Sequence, residues 1–263
     1  MNAAKRAARA ALYAPVLAVL ALALAGPEAV RRPTDILASP FAPRGGDLPL
    51  GSDHMGRDVW AMLLSGGREL VLIPVVAVAL TVVIGTAAGM SAGYRGGVLD
   101  AVISRIDTVA LSIPVVLLML LLLHNRGYSA GTMIVIILFA SIPFVSRLAR
   151  AATIQIARSD YVEQATATGS GPGRTMTVEI APGVLAPVLA DAGTRLSVAV
   201  GLTATAGFLG FTDSAPNWGR MINDNIAGIS LNPWATLAPS LLLVVLAVGA
   251  NYLIDDLTRR FIT

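Results

Sequence analysis

Stretches of about 20 mostly apolar residues recur along this chain. That is the length a helix needs to cross hydrocarbon, where every backbone N–H and C=O must be satisfied within the segment. Six are read as spans, over residues 8–26, 70–93, 109–123, 132–145, 184–211 and 234–253. The third is expected to start nearer Ala101, with charges at its cytoplasmic end. Composition agrees: 55% of residues are hydrophobic and 13% charged, where a soluble domain is about half apolar and about a quarter charged. The expected fold is therefore all-α, a six-helix polytopic membrane bundle. Prolines 74, 114 and 143 lie inside or at the ends of spans, where neighbouring helices re-satisfy the freed carbonyls.

Basic residues set the orientation. An N-in, C-in arrangement puts eleven of them, from Lys5 to Arg260, in the cytoplasm and seven outside, with Arg195 inside a span. It makes residues 27–69 and 212–233 outer segments, and residues 146–183 a long polar cytoplasmic segment. The chain divides into an N-terminal helix with its outer loop, 1–69, and a five-helix core, 70–263. A cleaved signal peptide is the rival reading of the first stretch, with Ala23-Leu24-Ala25 resembling a cleavage site.

Several chemistries are excluded. There is no cysteine, so no disulfide, thiolate metal site or cysteine nucleophile. The two histidines, His54 and His124, are far apart and neither lies near a second good metal ligand on a helical face, so no metal site is expected. The net charge of +3 gives no footprint for nucleic acid. The single lysine, Lys5, has no glycine-rich turn before it, and a phosphate-binding loop needs both. Any ATP-driven work must come from a partner. No nucleophile elbow, zinc-protease motif or intramembrane aspartate pair marks an enzyme; Asp191 is read as the only acid deep in a span. Repeated halves, expected of a secondary transporter, are also missing.

The cytoplasmic segment is patterned. Tyr161 to Thr168 is predicted to form a short helix, with Ser159 or Asp160 as N-cap and Gly169 as terminator. Gly171-Pro172-Gly173 forms a turn, Arg174 to Ile180 a second short helix, and Pro182 precedes the fifth span. Such a helix can dock in a groove of a cytoplasmic partner or lie on lipid headgroups. Elsewhere, Asp53, Arg57 and Asp58 are placed as an ion-pair knot or as a contact for an outer partner. Asp191 and Arg195, four apart, share a helix face and form either a structural pair or part of a path or gate. Thr203 and Thr205 among small residues suit close helix packing, and Trp218 and Trp234 are read as interface anchors.

The run Glu163-Gln164-Ala165, then Gly169 and Pro182, resembles the EAA loop of ABC importer permeases; Gln164, Glu179 and Ala181 depart from that pattern. Tyr161-Val162 before the glutamate is typical of the peptide/nickel branch. Leu50-Gly51-Ser52-Asp53-His54-Met55-Gly56-Arg57-Asp58-Val59 resembles the segment before the second span of that family, and Gly66 to Leu70 its continuation. Phe208 to Phe211, Pro216-Asn217-Trp218-Gly219, Pro233-Trp234 and Asn251 to Arg260 resemble its C-terminal blocks. The resemblance spans residues 47–260 and is to the C-type permease of dipeptide, oligopeptide and nickel importers. It implies a type I importer fold in the bacterial inner membrane. It also implies a second permease, two cytoplasmic ATPases that bind ATP and Mg, and an extracytoplasmic substrate-binding protein. This chain would bind no cofactor. Tyr161, Val162, Glu163, Gln164, Ala165, Gly169 and Pro182 would couple it to the ATPases. Gly51, Asp53, Gly56, Arg57 and Asp58 would be the family's outer-loop motif. The cargo implied is a di- or oligopeptide, with nickel or a metal chelate as the alternative.

Overall fold

The computed structural model describes residues 3–25, 32–212 and 216–262, which are mostly helical; residues 32–58 are irregular, with isolated β-bridges at Ile36–Arg57, Gly45–Leu48 and Ser52–Asp58. In chain order the helices are α1 Ala3–Ala25, α2 Val59–Ser65, α3 Arg68–Arg95, α4 Gly97–Ser112, α5 Val115–Arg126, α6 Ala130–Ala157, α7 Asp160–Ala167, α8 Pro172–Arg174, α9 Ala181–Phe208, α10 Trp218–Asn225 and α11 Trp234–Ile262. Among the described residues, four helical stretches are long and apolar enough to cross a membrane, or five if the bent pair α4–α5 is one span. The first expected span falls on α1, whose described apolar part is Tyr13–Leu24. Gly26 and Arg31 lie outside the described residues, as do the side chains of Lys5, Arg6, Arg9, Arg259 and Arg260. Leu72, Val75, Val76, Leu80, Val83 and Ile84 of α3 face outward uncovered, a surface suited to lipid or a partner and not to water.

Four expectations need correcting. The helix expected to start near Ala101 starts at Gly97 and runs to Ser112. Likewise α6 does not end near Val145 but runs to Ala157. Polar contacts tie the two extended helices together: Arg150 pairs with Asp100, and Arg147 donates to Thr108 Oγ1 at 2.9 Å. The third span is broken. Ile113 adopts extended φ −91° and ψ 119° before Pro114, as the residue before proline prefers, and the chain bends by 80°. Finally, Arg174 to Ile180 is no separate helix. It continues as a π-helical stretch, Thr175–Ile180, into α9, so helix runs unbroken from Pro172 to Phe208. Pro182 sits within it, just beyond the wider turn that accommodates its missing N–H.

The described residues form two compact units. One takes in Met1–Val75, Leu123–Met133 and Leu196–Ala250. Its core gathers Val59, Met62 and Leu63 of α2, Leu70 and Val71 of α3, Val200 of α9, Met221 of α10 and Leu246 of α11 around the fully buried Trp218; Val19 and Ala23 of α1 join it. Gly207 and Gly219 let α9 and α10 approach: a Cβ on Gly207 would meet the side chain of Asn217, and one on Gly219 the carbonyl of Ala204.

The second unit takes in Val76–Leu122, Ile134–Arg195 and Asn251–Thr263. It is organised by a seam of glycines. Gly85, Gly89 and Gly93 recur every four residues and so lie on one face of α3. A Cβ at each would stand 2.8 Å from Val145 Cβ, 2.8 Å from Ala149 Cβ and 2.9 Å from Thr153 Cβ of α6 respectively. Small residues at this spacing let helix backbones pack closely where no hydrophobic effect drives them together. Beside the seam, Met90, Val145, Ala149, Val162, Ile180, Val184 and Val188 form a buried cluster drawn from α3, α6, α7 and α9.

Candidate functional site

The EAA-like segment is a helix held by one apolar residue. Ser159 is the N-cap of α7, although its hydroxyl bonds back to Ile156 O at 2.6 Å and not to the helix. At the other end Gly169, at φ +95°, takes the left-handed turn glycine favours. Its N–H bonds to Thr166 O at 3.1 Å and that of Ser170 to Ala165 O at 3.0 Å, the paired closure of a Schellman motif. Val162 is buried in the second unit's core, while Tyr161, Glu163, Gln164, Thr166 and Thr168 are exposed and Ala165 is half-buried. The Tyr161 hydroxyl reaches Glu179 O at 3.4 Å, setting α7 beside the π-helical stretch. Pro182 is exposed, while Glu179 and Ala181, the departures from the pattern, are half-buried. The result is a short helix with a polar face outward, anchored through Val162 to α3, α6 and α9. Only Asp160 and Ser159 separate Tyr161 from Arg158 at the end of the α6 arm.

In the first unit the outer-loop motif is a knot. Asp53 is fully buried. Its carboxylate accepts from Met55 N–H and Arg57 N–H at 2.8 Å each, and from the Arg57 guanidinium at 2.7 and 2.6 Å. Asp58 does not join that ion pair; it caps α2, accepting from Trp60 N–H at 2.9 Å. Gly51 and Gly56, at φ +74° and +82°, turn the chain where a Cβ would strike the carbonyls of Ala42 and Ala38. Two asparagines that sequence reasoning passed over complete the knot. Asn225 accepts from His54 N–H at 2.9 Å, and Asn232 donates to Leu50 O and Ser52 O at 2.9 Å each. The segment before α2 and the segment around α10 are thus one structure.

Trp218 is not an interface anchor, because its indole is fully buried and donates to Leu63 O at 2.8 Å. Trp234 is about one-third exposed. In the second unit, Arg195 grips both carboxylate oxygens of Asp191 at 3.0 and 3.3 Å and lies 4.6 Å from the centre of the Phe144 ring. That is a satisfied cation, bonded below and stacked above. Asp191 is not the only acid deep in a helix, since Asp107 of α4 is buried as well.

A family model described as "Binding-protein-dependent transport system inner membrane component" matches residues 85–263. Among curated proteins, the chain is 30% identical over 249 residues to the dipeptide transport system permease protein DppC of Alkalihalophilus pseudofirmus, covering 94% of this chain and 79% of that one. It is 32% identical over 210 residues to DppC of Haemophilus influenzae, covering 79% and 71%. To the glutathione transport system permease protein GsiD of Pectobacterium atrosepticum it is 29% identical over 210 residues, covering 79% and 70%. Among solved structures, it superposes on a chain of the inward-facing MetNI methionine ABC transporter with TM-score 0.60 at 20% identity, covering 76% of this chain and 95% of that one. A chain of an amino acid ABC transporter with histidines gives 0.52 at 18% identity, covering 72% and 91%.

Proposed function

The chain belongs to the binding-protein-dependent transport system inner membrane components, the permease subunits of ABC importers, and from that premise we propose that it forms half of an ATP-driven entry path for di- and oligopeptides. It is a multi-pass inner-membrane protein with the all-helical permease fold, and it is not itself an enzyme. Relatives that carry the names of dipeptide and glutathione permeases support a peptide cargo. No observation favours nickel or a metal chelate.

In this reading a second permease completes the path. Two cytoplasmic ATPases bind ATP and Mg and drive it, and an extracytoplasmic binding protein delivers the cargo. Six spans with both termini inside place α7 in the cytoplasm and the Asp53–Asn232 knot outside. The division at residue 69, between an N-terminal helix with its outer loop and a five-helix core, belongs to the same proposal, with the coupling loop narrowed to residues 158–182. Closure of the ATPases would push on the exposed face of α7 at Tyr161, Glu163 and Gln164. Opening toward the outside follows, and hydrolysis resets the cycle. The Asp191–Arg195 pair is assigned to the wall of the path or its gate.

One observation carries the proposal. The short helix α7 exposes Glu163 and Gln164, is closed by a left-handed glycine, and is anchored by Val162 in a core shared with three long helices. The test is affinity purification of the tagged chain from bacterial membranes, followed by ATP-dependent dipeptide uptake in proteoliposomes. Co-purification of an ATPase is expected. The double change Glu163→Ala and Gly169→Val should cut uptake about tenfold, the effect of a coupling free energy near 1.4 kcal/mol. Uptake unchanged by that variant, or no ATPase recovered with the native chain, would sink the assignment.

A further inference from the structure

Helix α4 is held to its neighbours in an unusual way. Its one fully buried residue is an acid, Asp107, while Val98, Val102, Ile106 and Val109 remain exposed. What ties it down is polar, and it ends on α6. Arg150 grips Asp100 with two parallel bonds, Nε to Oδ1 and Nη2 to Oδ2, the latter at 2.6 Å. Ser104 adds a hydroxyl to the same carboxylate at 3.3 Å. One turn up α6, Arg147 donates to Thr108 at 2.9 Å and lies within electrostatic reach of Asp107. Arg147 and Arg150, three apart, present one basic face to α4.

Helix α6, by contrast, is locked. Its residues 145–153 close the glycine seam with α3, and Val145 and Ala149 lie in the same buried cluster as Val162 of α7. Since α7 begins three residues after α6 ends, a displacement of α7 reaches α6 with little slack. From α6 the directional route to α4 is through these charged and hydrogen-bonded contacts, since the apolar side chains of α4 are at most half-buried. Beyond α4 the chain turns 80° at Pro114 into α5. Apolar contacts can slide by fractions of an ångström. A bidentate ion pair, with two parallel bonds of fixed geometry, is instead either made or broken.

We propose that Asp100 and Arg150 are positioning residues of the transport cycle: their ion pair is the joint that carries movement of the α7–α6 arm into the bent pair α4–α5. The inference rests on the reading of α7 as the ATPase-coupling helix. It predicts a defect in coupling rather than in assembly.

Two measurements on the assembled complex test it. In proteoliposomes with a dipeptide as probe, Asp100→Asn and Arg150→Gln are each expected to lower uptake about tenfold while ATP hydrolysis stays within about twofold. The charge swap Asp100→Arg with Arg150→Asp should recover most of the uptake. Wild-type uptake in the single variants overturns the proposal. So does loss of uptake and hydrolysis together with no recovery in the swap, the pattern of a merely structural pair. The second measurement does not depend on cargo. The chain has no cysteine, so nitroxide labels placed at Val98→Cys and Ala151→Cys before the complex is assembled with unlabelled partners report the α4–α6 distance alone. With the joint intact, that distance should be the same with and without a non-hydrolysable ATP analogue; Arg150→Gln should make it shift and broaden on nucleotide addition. A nucleotide-dependent shift in the wild type, or none in Arg150→Gln, overturns the joint. A native complex that hydrolyses ATP but takes up no peptide removes only the cargo reading.

Discussion

Leu63 lies in the last turn of α2, where a carbonyl has no partner further along the helix. The Trp218 indole N–H supplies one, so a side chain 155 positions away closes this helix. Trp218→Phe keeps most of the ring but strands that carbonyl, and is expected to cost about 1–3 kcal/mol. Trp218→Ala also opens a cavity and should cost about 3–5 kcal/mol. Trp234→Phe, at a partly exposed site, should fall within about 0.5 kcal/mol of wild type. Thermal unfolding of the purified protein in detergent ranks the three, and a Trp218→Phe variant as stable as Trp234→Phe would contradict the capping role. The type and place of Trp218, near the end of a span, fit an interface anchor equally well. Its burial became visible only once α10 was seen folded back on α2. Asn225 and Asn232 were illegible for the same reason: their partners, His54 and Ser52, are distant in sequence, and amides carry no local signature beyond turns and caps.

Local rules worked best at α7. An N-capping serine and a terminating glycine bracketed it in the sequence, and the helix runs from Asp160 to Ala167 between them. They failed at the end of α6, where arginines imitate loop until Arg147 and Arg150 are matched with Thr108 and Asp100 of α4. The α3–α6 seam sits between these cases, because its Gly85, Gly89, Gly93 spacing is plain in the sequence yet has no meaning until a partner helix is named. Replacing Gly89 by alanine forces a methyl against Ala149 and the backbone at Arg150, and should cost about 1–3 kcal/mol by overpacking. Gly201→Ala is the control. A Cβ there meets nothing within 4 Å, and a helix gains about 0.5–1 kcal/mol from losing an interior glycine. Opposite signs in melting temperature are expected; equal losses would show that the seam is not specifically tight.

At the scale of the whole molecule the membrane character was legible from apolar stretch length alone, since backbone satisfaction in hydrocarbon leaves few alternatives. The division into spans was less so: a proline break leaves α4–α5 as a bent pair that length counting took for one helix. Orientation is open to direct test because the chain contains no cysteine. In intact cells, a membrane-impermeant maleimide should label Met55→Cys, in the Asp53 knot, and should reach Thr166→Cys on α7 only after permeabilisation; the reverse pattern would invert the topology. The same knot has a consequence for the order in which the molecule is completed. His54 waits for Asn225, 171 residues later, and chains are made from the N-terminus at about 5–20 residues per second. For about 10–30 s of each synthesis the early segment must stay unclosed while the intervening helices are threaded into the membrane. The clasp is a late stitch of biogenesis, with α11 still to follow, and a ribosome that stalls before Asn225 leaves a chain that no amount of earlier helix packing can fasten.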